Sequence, residues 1–318
     1  MNAERAVRAT FGLLNRASPA LAARLAERMF FTPPRTRRSP RIEAALATAR
    51  RRDVDAAGTR IATWAWGAGP TVYLVHGWAG LGGQLGAFVQ PLVDQGFQVV
   101  TFDGPAHGRS SGRRASIVHF ARALAAVGHV FGPARGLIAH SLGAPAAAFA
   151  MRRGFPAQRA VFVAPPADPG DWSKQFARRL GVSARVMTAM RARSESWLGV
   201  SWADVSLTGL AVGQSAPLLV VHDQDDRDVP FQHGAAVAAS WPGARLLETN
   251  GLGHRRILRD AGVVAQAVSF IAGSPTGVCE AVDSGSCLTG LASLERYLDD
   301  REARWALLSE GPRAQYAM

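Results

Sequence analysis

Ala139-His140-Ser141-Leu142-Gly143 decides how this chain is read. The apolar run Gly136-Leu137-Ile138 before it reads as a short buried strand, and Ala144-Pro145-Ala146-Ala147-Ala148-Phe149-Ala150 after it reads as a helix. A serine between small residues on a sharp strand-to-helix turn is a nucleophile elbow, because the tight turn holds the hydroxyl clear of the backbone where a base and a substrate can both approach. The common motif has glycine where this chain has Ala139, whose methyl is small. An ordinary strand–turn–helix could carry the same residues. The reading of Ser141 therefore depends on an acid, a base and oxyanion donors elsewhere in the chain.

Outward from the elbow, strands and helices alternate. Residues 60–66, 71–76, 98–102, 137–140, 160–164, 218–222 and 244–247 read as strands, and 84–95, 116–130, 141–153, 231–240 and 262–271 as helices, with Ser116 as an N-cap. Such alternation predicts an α/β fold with a mostly parallel central sheet covered by helices on both faces. Residues 165–216 break the pattern. They lack a clear strand, hold Trp172, Trp197 and Trp202, and read as helical over 171–180 and 183–193. This stretch is expected to be a helical cap over the carboxyl edge of the sheet, where open α/β folds bind ligands.

The expected division is a helical N-terminal extension (1–52), an α/β core (53–164 and 217–273), the cap (165–216) and a tail (274–318) with a helix candidate at 291–308. In the extension, Phe11, Leu14, Leu21, Leu25 and Met29 suit amphipathic helices broken at Ser18-Pro19, with a further break at Thr32-Pro33-Pro34-Arg35. Packing against the main domain is its expected role.

Composition bounds the function. At 318 residues, 48% hydrophobic and 19% charged, the chain can bury a full core without disulfides or metals. No stretch nears the ~20 apolar residues of a membrane span. The net charge is +12, of which +8 falls in residues 1–60 through 13 arginines against five acids. Basic charge invites a nucleic-acid reading. Lys174, however, is the only lysine, so the arginine excess reads as genomic base composition, and no DNA-reading motif accompanies it. No nucleic-acid partner is expected. Cys279 and Cys287 are too few for a disulfide framework or a metal site and read as incidental. The start is arginine-rich and acid-poor like a transit peptide but has no secretory signal, and a cytoplasmic location is expected.

Three further loops, each at a strand's end, complete the site. In Val75-His76-Gly77-Trp78-Ala79-Gly80, the glycine lets the Trp78 N–H face the site as an oxyanion donor, paired with the Leu142 N–H after the nucleophile; His76 reads as loop support. His222-Asp223-Gln224-Asp225-Asp226-Arg227-Asp228-Val229-Pro230 holds four carboxylates in six residues. It lacks the alternate ligands, central glycine and distal glutamate of a calcium loop, so it reads as the acid of a triad. Asn250-Gly251-Leu252-Gly253-His254 follows the last strand and supplies a base. Asp103 and His107, in Phe102-Asp103-Gly104-Pro105-Ala106-His107-Gly108-Arg109-Ser110, precede the serine and read as loop-fixing groups. Serine chemistry needs all three partners. A neutral imidazole takes the hydroxyl proton, a carboxylate fixes its tautomer, and backbone donors stabilise the oxyanion. The order serine, acid, histidine is one of three known orders and not that of chymotrypsin or subtilisin.

Through these motifs, residues 60–272 resemble the α/β-hydrolase superfamily. The resemblance implies Ser141 as nucleophile, His254 as base, and the Trp78 and Leu142 backbones as the oxyanion hole. In the family's acid loop the aspartate lies four residues after the histidine. His222 then implies Asp226, with Asp228 and Asp225 as alternatives. It also implies a helical cap. A serine at 141 disfavours dehalogenase and epoxide-hydrolase chemistry, which uses a carboxylate nucleophile.

The expected function is a serine esterase acting on a small-molecule ester with an apolar acyl or alcohol group, without cofactor or metal. Acyltransferase, peptidase and cofactor-free perhydrolase remain alternatives on the same triad, and a non-catalytic binding protein on this scaffold is a further one. A peptidase capturing free amino termini would place acids of the insertion (Asp168, Asp171, Glu195 or Asp204) at the site. His254 Nε2 is expected within ~3.2 Å of Ser141 Oγ, or somewhat further without ligand, with Asp226 reaching Nδ1.

Overall fold

Strand β3 (Thr71–Val75) is buried along its whole length, and so are β6 (Ala160–Val163) and β7 (Leu218–Asp223). Continuous apolar runs of this kind belong to strands covered on both faces. In the computed structural model, which describes residues 3–273, these strands form the centre of one eight-stranded sheet of order β1-β2-β4-β3-β5-β6-β7-β8. The remaining strands are β1 (Arg50–Ala56), β2 (Thr59–Trp66), β4 (Gln98–Phe102), β5 (Ala134–His140) and β8 (Arg245–Thr249). Pairing is parallel from β4 through β8 and antiparallel for β1–β2 and β2–β4.

The helices are α1 (Ala3–Ala17), α2 (Pro19–Phe30), α3 (Pro40–Ala47), α4 (Val89–Asp94), α5 (Ile117–Phe131), α6 (Gly143–Arg152), α7 (Pro169–Leu180), α8 (Ala184–Leu198), α9 (Leu207–Ala211), α10 (Phe231–Ser240), α11 (Gly253–Arg256) and α12 (Ala261–Ala272). Alternate strand residues face opposite layers. Val72, Leu74, Ile138, Val161, Val163, Leu219 and Val221 pack in one core cluster with Leu92 of α4 and with Val264, Val268 and Ile271 of α12. On the other face Phe162 meets Trp241 edge-on at 5.6 Å.

The helix starts follow local chemistry. Ser116, Ser18, Ser39, Ser183 and Asp168 each accept a hydrogen bond from a backbone N–H in the first turn they cap. Such caps are typically worth ~1 kcal/mol each.

Two sequence expectations need correction. The helical texture assigned up to residue 52 ends earlier, because Arg50–Arg52 already lie in β1. This edge strand, Arg-Arg-Arg-Asp-Val-Asp-Ala, is largely exposed and buries only Val54, so it has no apolar alternation to read. Its register comes from the hairpin, where Ala57 and Gly58 both take positive φ (50° and 81°), the geometry of a two-residue primed turn. The helix expected over 84–95 is a 3₁₀ segment (Gly82–Phe88) running into the short α4. The helix candidate at 291–308, Cys279 and Cys287 lie outside the described residues.

Among the described residues no helix is long and apolar enough to cross a membrane, and no group of three or more His, Cys, Asp or Glu could hold a metal ion.

Candidate active site

The carboxyl ends of β3, β5, β7 and the segment after β8 deliver Trp78, Ser141, Asp226 and His254 to one edge of the sheet. Ser141 sits between β5 and α6 with φ of 51°, a left-handed conformation that costs a non-glycine residue ~1–3 kcal/mol and clusters at functional sites. Its turn is locked by Ser141 N–H donating to Val163 O (2.9 Å) and Ala144 N–H donating to Ser141 O (2.9 Å). The elbow needs small neighbours. A Cβ on Gly77 would lie 2.8 Å from Ser141 Cβ, and one on Gly143 2.6 Å from Val75 O.

Asp226 is buried and holds the imidazole of His254. Its Oδ2 accepts from His254 Nδ1 at 2.7 Å, while Oδ1 accepts the N–H groups of Asp228 (2.8 Å) and Val229 (2.9 Å). Burial pushes its pKa up, but the His222 ring 3.6 Å away, the hydrogen bond from His254 and the Val229 N–H outweigh that and hold the carboxyl well below the usual range. The alternatives Asp225 and Asp228 do not reach the ring. Asp225 accepts the Gly251 N–H (2.9 Å), and Asp228 lies near Arg255 at 3.9 Å.

Asp223, unremarked in sequence, ties the acid loop to the histidine loop. It accepts Gly253 N–H (2.8 Å), Leu252 N–H (3.0 Å) and the Thr249 hydroxyl (2.8 Å). Its burial raises its pKa, and these donors reverse the effect, so the net shift is downward.

His140, the residue before the serine, is the second unremarked participant. Its Nε2 donates to the His254 carbonyl at 2.9 Å, and the two rings lie 4.5 Å apart. Burial, then the neighbouring His254, lowers its pKa to about 3, so it is a neutral spacer against the His254 ring. The Ser141 hydroxyl itself makes no hydrogen bond among the described residues, to His254 included. Such contacts are often long in the absence of substrate and tighten when it binds.

The N–H groups of Trp78 and Leu142 are likewise uncommitted among the described residues, and both residues line the cavity that Ser141 opens into. The turn after Trp78 is fixed on every side. Ala79 has φ of 54°, its N–H donates to His107 Nε2 (3.1 Å), and its carbonyl accepts the Thr36 hydroxyl (2.6 Å). His107 Nδ1 donates to Pro105 O (2.8 Å), and Asp103 accepts the N–H groups of Gly82 (3.0 Å) and Arg109 (2.8 Å) and pairs with Arg38. His76 Nε2 accepts the Gly104 N–H at 2.8 Å. All three act as loop ties.

Ser141 lines a cavity that opens to solvent. Aromatic and aliphatic side chains dominate its lining: Trp172, Leu198 and Trp202 from the 165–216 segment, and Phe30 and Phe31 from α2 and its C-cap. No sequence expectation placed those two phenylalanines at the site. The one signal for them is an aromatic doublet at a helix end just before Pro33-Pro34.

A model of the alpha/beta hydrolase family matches residues 72–267. A search of curated protein sequences finds no match. Among solved structures, a predicted CIB-like hydrolase from Thermoplasma acidophilum aligns at 17% identity and a TM-score of 0.54, covering 71% of this chain and 99% of that one. A bromoperoxidase from Bacillus anthracis aligns at 16% identity and 0.55 (70% and 100%), and a thermophilic esterase from Thermogutta terrifontis at 19% and 0.52 (69% and 97%). At these identities the likeness is one of fold.

Proposed function

The chain belongs to the alpha/beta hydrolase family, and from that premise we propose that it is a serine hydrolase cleaving carboxylic esters through an acyl-enzyme, with an apolar acyl group of small to medium size. The observation that carries the reading is the 2.7 Å bond from His254 Nδ1 to the buried Asp226, beside a serine held at positive φ.

In this reading Ser141 Oγ attacks the ester carbonyl carbon while His254 Nε2 takes the hydroxyl proton. The carbonyl electron pair moves onto oxygen, where the Trp78 and Leu142 N–H groups stabilise it. Each such donor is typically worth ~3–4 kcal/mol of barrier. The intermediate collapses, the C–O bond breaks, and His254 returns its proton to the departing alkoxide. Water then repeats the sequence on the acyl-enzyme. Asp226, held in its ionised form, keeps the Nδ1–H tautomer and stabilises the imidazolium. The 165–216 segment serves as a cap whose rings, with those of α2, receive the acyl group.

Asp171, Glu195 and Asp204 of the cap are engaged elsewhere, whereas Asp168 lines the cavity beside Ser141, so an amine-capturing peptidase stays an alternative on the same triad. Asp168 accepts the Gly170 N–H at the start of α7, Glu195 accepts the Trp202 N–H, Asp204 bonds Ser201, and Asp171 pairs with Lys174.

Hydrolysis of short p-nitrophenyl esters by the wild type and its loss in a folded Ser141→Ala variant is the expected result. A wild type inert toward such esters and toward an organophosphonate contradicts it.

A further inference from the structure

Phe30 and Phe31 come from outside the matched span of residues 72–267, yet they line the same cavity as Ser141, Trp78 and Leu142. We propose that this pair is the wall that limits the length of acyl chain the enzyme accepts, a specificity element supplied by the N-terminal extension; the inference rests on the ester-hydrolase reading above.

The wall is stiff because it is fixed from several directions. Phe30 stacks on Trp202 (5.6 Å, 20°) and meets Phe176 edge-on (5.2 Å, 85°), and Phe31 meets Trp197 edge-on (5.5 Å, 74°). The Phe31 N–H donates to Glu27 O (3.1 Å), and its carbonyl accepts the Ala115 N–H (2.8 Å). One turn earlier the buried Glu27 carboxylate pairs with Arg114 ahead of α5 and with Arg193 of α8, each at 2.9 Å. After the pair, Thr36 bonds the Ala79 carbonyl and Arg38 pairs with Asp103, so the same segment continues directly onto the loop that presents the Trp78 N–H. With Phe30 stacked on Trp202 and Phe31 edge-on to Trp197, withdrawing either ring to admit extra methylenes would break these contacts. A methylene refused or accepted by such a wall changes relative kcat/KM roughly tenfold or more.

The test compares p-nitrophenyl acetate, butyrate, octanoate and laurate across the wild type, Phe30→Ala, Phe30→Leu and Phe30→Trp, with near-ultraviolet circular dichroism to confirm packing. The expected result is that the ratio of kcat/KM for laurate over butyrate rises roughly tenfold or more in Phe30→Ala, rises less in Phe30→Leu, and falls in Phe30→Trp. If Phe30→Ala does not fold, the opposite shifts of the Leu and Trp variants carry the test. An unchanged ratio, or an equal fall for every ester, overturns the wall.

A second readout needs no turnover: n-alkyl alcohols of graded length are titrated into Ser141→Ala, with and without Phe30→Ala, and followed by tryptophan fluorescence. A length limit that Phe30→Ala relaxes supports the wall even if the wild type hydrolyses no ester, in which case only the catalytic reading falls. Ester hydrolysis with an unmoved length limit overturns the wall alone.

Discussion

On the sheet side of the cavity, the residues proposed to carry the chemistry are held largely by backbone hydrogen bonds. Asp226 is set by two N–H groups of its own loop, the His254 loop hangs on Asp223, and Ser141 is locked in a strained turn. On the opposite side α2, α7 and α8 meet through rings and one buried carboxylate, with Phe30 on Trp202 and Phe176, Phe31 on Trp197, and Glu27 between two arginines. In the proposed reading, chemistry that fails when an atom moves by an ångström rests on short loops at strand ends. The same reading leaves shape selection, which tolerates ring-sized adjustments, to helices packed through side chains.

If this contrast is right, changes on the sheet side cost rate and changes on the ring side cost fit or stability. The largest effect is expected for Ser141→Ala, whose kcat should fall about 10⁶-fold while its thermal melt is unchanged. Asp226→Asn keeps the shape but permits the wrong tautomer, and kcat should fall about 10⁴-fold. If Asp228→Asn matches it, the acid is misassigned. On the ring side, Glu27→Gln should lower unfolding stability by about 2 kcal/mol in urea, since a buried acceptor of two charged hydrogen bonds is weakened. Phosphonate labelling of Ser141 in that variant should remain, and its loss would break the contrast.

Stability should also depend on pH. His140 has its pKa lowered to about 3 in the fold, against ~6.5 when unfolded. Between those values the unfolded chain binds the extra proton, so stability rises with pH, is fully present above ~6.5 and is lost as pH falls toward 3. The depressed Asp223 and Asp226 add a loss of the same sign below ~3.9. Urea midpoints across this range should fall with acid, and His140→Asn should flatten part of the slope between ~6.5 and ~3.

The same contrast explains what the sequence could disclose. The alternation of buried strands and helices, and the loops carrying Ser141, Asp226 and His254, were legible because a strand end followed by glycines and polar residues has few folded outcomes. The ties made by Asp223 and His140 were hidden in plain view: Asp223 was one of four carboxylates without a distinguishing neighbour, and His140 lay within the motif. β1 was missed because an exposed edge strand of Arg-Arg-Arg-Asp has no apolar period. Phe30 and Phe31 were missed for a different reason. Their place at the cavity depends on which face of α2 meets α8, and that is settled by long-range ring packing rather than by residue spacing.

The most direct test of the central claim is to trap the acyl-enzyme. Wild-type protein quenched in acid during turnover of p-nitrophenyl butyrate is digested and mapped by mass spectrometry. A butyryl group on Ser141, absent in Ser141→Ala and slower to form in His254→Ala, is the predicted result; steady hydrolysis with no adduct on Ser141, or an adduct on another residue, would contradict it.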